Sequence, residues 1–226
     1  IERLRLAATN SLLSRTDVIL VASVSCIYGL GSPEDYKEMV VEITRGEESN
    51  RDAVLRQLVD IQYTRNDLAG DPATFRVRGD TLDIFPSYNK QGVRVSFFGD
   101  LVESIEVFDP LTGDTASELD HVVISPAKHF VTPYSKIEGA LQSISAELEA
   151  RIAELEGQGK LLEAQRLRMR CRYDLDMIRE VGFCSGIENY SRHLTGRQPG
   201  ERPFTLLDYF PPDFLTIIDE SHATIP

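Results

Sequence analysis

Phe75-Arg76-Val77-Arg78-Gly79-Asp80-Thr81-Leu82-Asp83-Ile84 decides the reading of this chain. Apolar and polar residues alternate on both sides of Gly79-Asp80, and a period of two marks a half-buried strand. A two-residue Gly-Asp turn closes the two strands into a hairpin and pairs Val77 with Leu82 and Arg76 with Asp83. Both pairings agree on faces: Phe75, Val77, Leu82 and Ile84 point to a core, while Arg76, Arg78, Thr81 and Asp83 point outward. A second run, Val93 to Phe98, turns at Gly99-Asp100 and continues to Phe108. Its alternation is poorer, so it predicts a strand pair without fixing a register.

Outward from this strand region, which runs from about Met39 to Val131, the pattern changes on both sides. Towards the N-terminus, Leu4, Ala7, Ala8, Ser11 and Leu12 fall at helical spacing within Ile1 to Ser14, and the short apolar run Val18-Ile19-Leu20-Val21-Ala22 predicts a buried parallel strand. A loop from Ser23 to Gly31 follows, and Ser32-Pro33 places a capping hydroxyl before a proline at the first helical position. Towards the C-terminus, Thr132-Pro133 reads as a helix cap, and Ile137, Leu141, Ile144, Leu148, Ile152 and Leu155 recur at spacings of four and three. Gly157-Gln158-Gly159 interrupts, the pattern resumes from Lys160 to Val181, and Gly182 ends it, which predicts an antiparallel helical hairpin. Gly186 to Pro203 reads as loop, and Phe214-Leu215-Thr216-Ile217-Ile218 as a second buried strand ending on Asp219-Glu220. The chain starts on Ile1 and stops just after that run, which predicts a piece of a longer protein.

Composition narrows the function classes. The 226 residues carry 24 basic and 36 acidic side chains, a formal charge of −12, with 42% hydrophobic residues, as expected of a soluble globular chain. Cys26, Cys171 and Cys184 form no close pair, which fits a reducing cytoplasm rather than a disulfide framework. The four histidines lie far from them, so no zinc spacing is present. No apolar run is long enough for a signal segment or a membrane span.

Three constellations are candidates for chemistry. An apolar strand ending in Asp219-Glu220 is how nucleotide hydrolases place one carboxylate on hydrated Mg²⁺ and a second on the attacking water, but the same pair also simply ends strands. The phosphate loop G-x-x-x-x-G-K-[ST] is absent, so this chain alone is expected not to hydrolyse ATP. Between Arg166 and Arg202 stand eight arginines, no lysine and five acids. Arg166 and Arg170 share one helix face, Arg168 and Arg172 another, and Tyr173 and Tyr190 offer stacking surfaces. That set suits phosphate contact, or equally a solvated face laced with i,i+4 pairs. The third constellation is the outward face of the strand region, with Arg76, Arg78 and Arg94. The region is net negative, which repels duplex DNA at long range and favours a protein partner with an acidic patch. Of the adjacent Phe97 and Phe98, one points outward beside the arginines, as in protein-binding patches. Cross-strand Arg–Asp pairs on a wet surface are the alternative.

Four stretches carry a resemblance along the whole chain, in order: Val21-Ala22-Ser23-Val24-Ser25-Cys26-Ile27-Tyr28-Gly29-Leu30-Gly31, Phe75 to Asp80, Cys184-Ser185-Gly186-Ile187-Glu188-Asn189-Tyr190-Ser191-Arg192, and Ile218-Asp219-Glu220-Ser221-His222. Together they are similar to the UvrB family of bacterial nucleotide excision repair proteins. The resemblance implies an α/β fold: a fragment of a superfamily 2 helicase-like, RecA-like P-loop motor with an inserted mainly-β α+β partner-binding domain and an α-helical subdomain. It implies four segments, with 1–38 the end of one motor part, 39–131 the insert that binds UvrA, 132–203 the helical subdomain beside DNA, and 204–226 the return to the motor. The glycine loop, the strand-clamping β-hairpin, the second motor domain and the region that meets UvrC are implied to lie outside it.

By the same resemblance, Asp219, Glu220 and His222 match the acidic ATPase motif, with Asp219 on Mg²⁺ through water. Arg65, Arg76, Arg78 and Arg94, with Phe97 and Phe98, match the UvrA-binding face, and Ser96 stands where an acidic residue is expected. Arg170, Glu188, Tyr190 and Arg192 fall near the bound DNA strand. The implied function is ATP-dependent damage verification, with ATP and Mg²⁺ as cofactors of the full-length protein, UvrA, UvrC and damaged DNA as partners, and a cytoplasmic location. Two other classes are a UvrB-like adaptor of a transcription-repair coupling factor, which has no need of the acid pair, and a free-standing Mg²⁺-dependent hydrolase, for which no nucleophile or phosphate loop converges.

Overall fold

A computed structural model describes residues 2–27 and 29–224 of the chain. Ile1 of the first expected helix and Tyr28 of the Tyr28-Gly29-Leu30-Gly31 loop lie outside the described residues. Helix α1 spans Glu2–Ser14 and α2 Pro33–Glu38. Ser32 caps α2 as its sequence predicts, its hydroxyl accepting the Asp35 N–H at 3.3 Å. Strand β1 (Val41–Thr44) and α3 (Arg51–Asp60) follow, then β2 (Thr64–Arg65), β3 (Thr74–Arg78), β4 (Thr81–Phe85), β5 (Gly92–Phe98), β6 (Leu101–Phe108), β7 (Thr115–Glu118) and β8 (His121–Ile124). Helices α4 (Tyr134–Gly157), α5 (Leu161–Val181), α6 (Ser191–Leu194) and α7 (Ser221–Thr224) complete the set.

The six strands β2 to β7 form one sheet in sequence order, antiparallel except for the parallel pair β2–β3, and β1 and β8 pair separately. The β3–β4 register is the expected one, Val77 opposite Leu82 and Arg76 opposite Asp83, with Gly79 at φ +60° in the turn. In the β5–β6 hairpin the register shifts between Ser96 and Phe97. That bulge opposes two residues to one and is the physical cause of the weak alternation.

The inner face of the sheet closes a core of Phe75, Leu82, Ile84, Val93, Val95, Phe97, Val102 and Ile105. Val54 and Leu58 of α3 and Val41, Ile43 and Ile124 of the small sheet cover it. Burying a side chain such as Leu58 completely contributes about 2–3 kcal/mol, and Asn50 starts α3 by accepting the Ala53 N–H at 3.0 Å. Helices α4 and α5 form the expected hairpin, reversing at Gly159 (φ +74°) and ending at Gly182 (φ +68°). Ile144 lies in one core with Leu175 and Ile178, and Leu148, Ile152 and Leu155 in another with Ala164.

Four expectations need correction. Val18 to Ala22 is not a strand, and Ile19 stands 95% exposed. Phe214 to Ile218 likewise has no regular secondary structure, with Phe210 stacked on Phe214 at 4.6 Å between ring centroids. A strand exists only through ladder partners, and among the described residues no strand lies beside either run. Thr132 makes no cap: α4 begins after Pro133 without a side-chain cap hydrogen bond. The stretch 186–203 is not all loop, because Ile187 and Leu194 are buried and anchor a 3₁₀ turn, Ile187–Tyr190, and α6.

Candidate functional site

The outward face of the sheet is built in rows across β3, β4, β5 and β6. One row reads Arg76, Asp83, Arg94, Glu106, and the next Thr74–Phe85 continuing into Gly92–Phe108. Asp83 points outward as its register demands, yet it is only 3% exposed. Its burial is the main departure from the sequence reading. Arg76 donates from Nε to Oδ2 at 2.7 Å, and Arg94 from Nε to Oδ1 at 2.7 Å. The Phe85 and Phe108 rings meet edge to face, 5.8 Å apart, and each arginine lies over one of them: Arg76 over Phe85 at 5.2 Å, Arg94 over Phe108 at 4.4 Å. A Cβ on Gly92 would sit 2.5 Å from the Phe108 ring, and one on Gly70 2.6 Å from Phe85. Two glycines therefore admit the aromatic pair, and the carboxylate lies beneath the two arginines that stack on that pair. The hydrogen bond to Asp83 raises the Arg94 pKa, keeping it charged where it is partly buried.

Arg76 and Arg94 are consequently held, with side chains 17% and 26% exposed. Arg65 and Arg78 stand open. Arg65 binds Asp67 at 3.0 Å, and Asp67 accepts the Val77 N–H, which together with Arg65 and Arg78 holds its carboxyl below the usual range. Of the two phenylalanines, Phe98 is the outward one, 77% exposed at the hairpin tip. Phe97 is a core residue at 3% exposure and leaves the candidate face: period-two alternation along β5 puts it on the inner side with Val93 and Val95, and the extra residue of the bulge, Glu103, lies on β6. Ser96 lies opposite Thr81, half-buried on the same outward face as Arg94 and Phe98.

A second buried carboxylate organises the helical region. Asp174 on α5 accepts the Tyr190 hydroxyl at 2.7 Å and Arg170 Nε at 3.5 Å. The structure thus brings Arg170 and Tyr190 together. Burial, followed by contact with Cys171 and Asp174, raises the Tyr190 pKa, so the phenol remains a donor. Gly186 (φ +79°) lets its turn pass close to Arg170. Glu188 is exposed, and Arg192 is taken up by Glu147 of α4, which also meets His193 Nε2 at 3.1 Å. Several of the remaining arginines pair internally, Arg168 with Glu156 at 2.9 Å and Arg202 with Asp208 at 2.6 Å. The Arg76–Asp83 pair expected across the hairpin is present, but its burial, its second partner Arg94, and the roles of Phe85, Phe108 and Asp174 were not read from the sequence. A carboxylate with arginines opposite it on both neighbouring strands was the available signal for Asp83.

The acidic pair lies apart from both. Asp219 Oδ1 accepts the Glu220 N–H at 3.0 Å, His222 Nδ1 lies 3.5 Å from Glu220 Oε2, and all three side chains are exposed. Their oxygens suit Mg²⁺ chemically. However, the Asp219 carboxylate turns back on its own backbone, no phosphate loop is present, and among the described residues no three His, Cys, Asp or Glu converge on a metal position. The residues of this chain alone do not fit a nucleotide–Mg²⁺ site. No helix among the described residues is long and apolar enough to cross a membrane.

A sheet domain with an arginine face held on a buried aspartate is followed by a helical hairpin with a buried aspartate of its own. Residues 41–130 match the family model of the UvrB interaction domain, and residues 135–196 that of the UvrB third helical domain. All of the chain aligns with proteins named UvrABC system protein B, at 61% identity over 227 residues in Geobacillus kaustophilus, 62% in Halalkalibacterium halodurans and 58% over 226 residues in Mycobacterium bovis. The chain belongs to the UvrB family. It spans 34% of the first two relatives and 31% of the third, about a third of their length.

Proposed function

We propose that the chain is the UvrA-binding and DNA-facing segment of a nucleotide excision repair subunit. In this reading 39–131 docks UvrA through Arg65, Arg76, Arg78, Arg94 and Phe98, and 132–203 lies along damaged DNA through Arg170, Glu188, Tyr190 and Arg192. The flanks 1–38 and 204–226 belong to a helicase-like motor. There Asp219, Glu220 and His222 serve ATP and Mg²⁺ once a phosphate loop from the rest of the full-length protein joins them, and UvrC acts on the same cytoplasmic complex. The observation that carries the proposal is the arginine face of the sheet, set inside the very residues that match the UvrB interaction domain. The naming of the relatives favours the repair subunit over the adaptor reading.

The test is calorimetric titration of the full-length protein with UvrA, wild type against Arg65→Glu/Arg78→Glu. These two exposed arginines can be reversed without opening the Asp83 cluster. A complex that weakens with added salt and is lost in the double variant supports the reading. An unchanged complex in the double variant contradicts it.

A further inference from the structure

We infer that Asp83 is a positioning residue for partner binding: its buried carboxylate fixes Arg76 and Arg94 in one geometry, so that the N–H groups not spent on it form a rigid donor edge on the sheet surface. The inference rests on the UvrA-binding reading and deepens it. A guanidinium has five N–H donors in a planar fork. Arg76 uses Nε and Nη2 on Asp83 Oδ2, and Arg94 uses Nε on Oδ1 with Nη2 at 3.4 Å from Oδ2. Each fork is pressed against a ring, Phe85 or Phe108, whose place is kept open by Gly70 or Gly92. Both side chains have therefore given up their rotamer freedom before any partner arrives, which removes that ordering cost from association. Arg78 is exposed and has no such clamp among the contacts of the face.

This role makes an opposite prediction from simple charge. Asp83 cancels one of the two positive charges beside it. If the face attracted an acidic partner only by its field, Asp83→Asn would add one net positive charge and tighten binding. If Asp83 positions the arginines, Asp83→Asn weakens binding despite the more favourable charge.

The experiment measures UvrA affinity of the full-length protein for wild type, Asp83→Asn, Arg76→Gln/Arg94→Gln, and the triple variant. The expected result is about a tenfold weaker complex for Asp83→Asn, less than a full loss of a buried charge pair because the amide keeps one hydrogen-bonding oxygen. The same change should have little further effect once both arginines are glutamine, which a general loss of fold would not produce. Equal or tighter binding by Asp83→Asn overturns the inference, and so does an equal loss in both backgrounds. In wild type without partner, the Nε–H protons of Arg76 and Arg94 should exchange with solvent at least about tenfold more slowly than that of Arg78, as expected of donors held in buried hydrogen bonds. Comparable exchange overturns the inference with no variant needing to fold. Failure of wild type to bind UvrA at all instead overturns the proposed function, and this inference with it.

Discussion

The sheet and the helical hairpin each bury one aspartate beneath a candidate binding face, and they hold it differently. Asp83 lies between two arginines at 2.7 Å, both half-buried and each backed by an aromatic ring. Asp174 takes its short bond, also 2.7 Å, from the neutral Tyr190 hydroxyl, while Arg170 reaches it only at 3.5 Å and stays 64% exposed. The sheet therefore presents arginines whose geometry is already fixed, suited to the defined contour of a protein. The helices present an arginine that is tethered but free to sample, suited to the repeating phosphates of a nucleic acid strand. The same residue pair, Arg and Asp, yields a rigid or a yielding surface according to whether the guanidinium is enclosed.

The sharpest way to break this comparison is truncation of the two acids. Asp83→Ala leaves two partly buried guanidinium groups without a counter-charge and is expected to cost about 3–5 kcal/mol. Asp174→Ala leaves an exposed arginine and one half-buried phenol, and should cost about 1–2 kcal/mol. Urea unfolding of the two variants checks the order, and equal losses would remove the distinction.

A buried group without an ionic partner supplies the next contrast. Burial and the nearby Arg5 depress the His129 pKa to about 4, its ring lying 3.1 Å from Thr9 Oγ1. The unfolded chain, with a histidine near its ordinary 6.5, then binds more protons than the folded one between those values. Stability should fall by about 3 kcal/mol as the pH drops from about 6.5 to 4, and His129→Gln should flatten that slope in pH-dependent melts. A slope unchanged by the substitution would show that the histidine is not held neutral.

Smaller effects sharpen the aromatic and phenolic parts. Gly92→Ala forces a methyl against the Phe108 ring and should cost about 1–3 kcal/mol in thermal unfolding, with a matching loss of UvrA affinity if Arg94 moves with the ring. Tyr190→Phe deletes only the hydroxyl that Asp174 accepts and should cost about 1 kcal/mol with no change in UvrA binding.

The hairpin at Gly79-Asp80 was legible because period-two alternation and a two-residue turn agree on one register. The helical hairpin was legible because its apolar spacing and its glycines agree on where it turns and stops. The burial of Asp83 was not legible, since the outward side of a strand is wet only when nothing covers it, and Arg76 and Arg94, backed by Phe85 and Phe108, lie on this one. Val18 to Ala22 and Phe214 to Ile218 have strand composition, but composition supplies no ladder partner, and both runs are irregular. For the acidic pair, the sequence marks the residue types, and in the structure Asp219 and Glu220 stand exposed, with no cluster of three metal-ligating side chains among the described residues.

The most direct test is hydrogen exchange of the full-length protein with and without UvrA, followed along the chain. The account predicts slower exchange on UvrA addition in residues 74–98, the strands that carry Arg76, Arg78, Arg94 and Phe98, and no change in residues 161–196. Protection of 161–196 with none in 74–98 would contradict it.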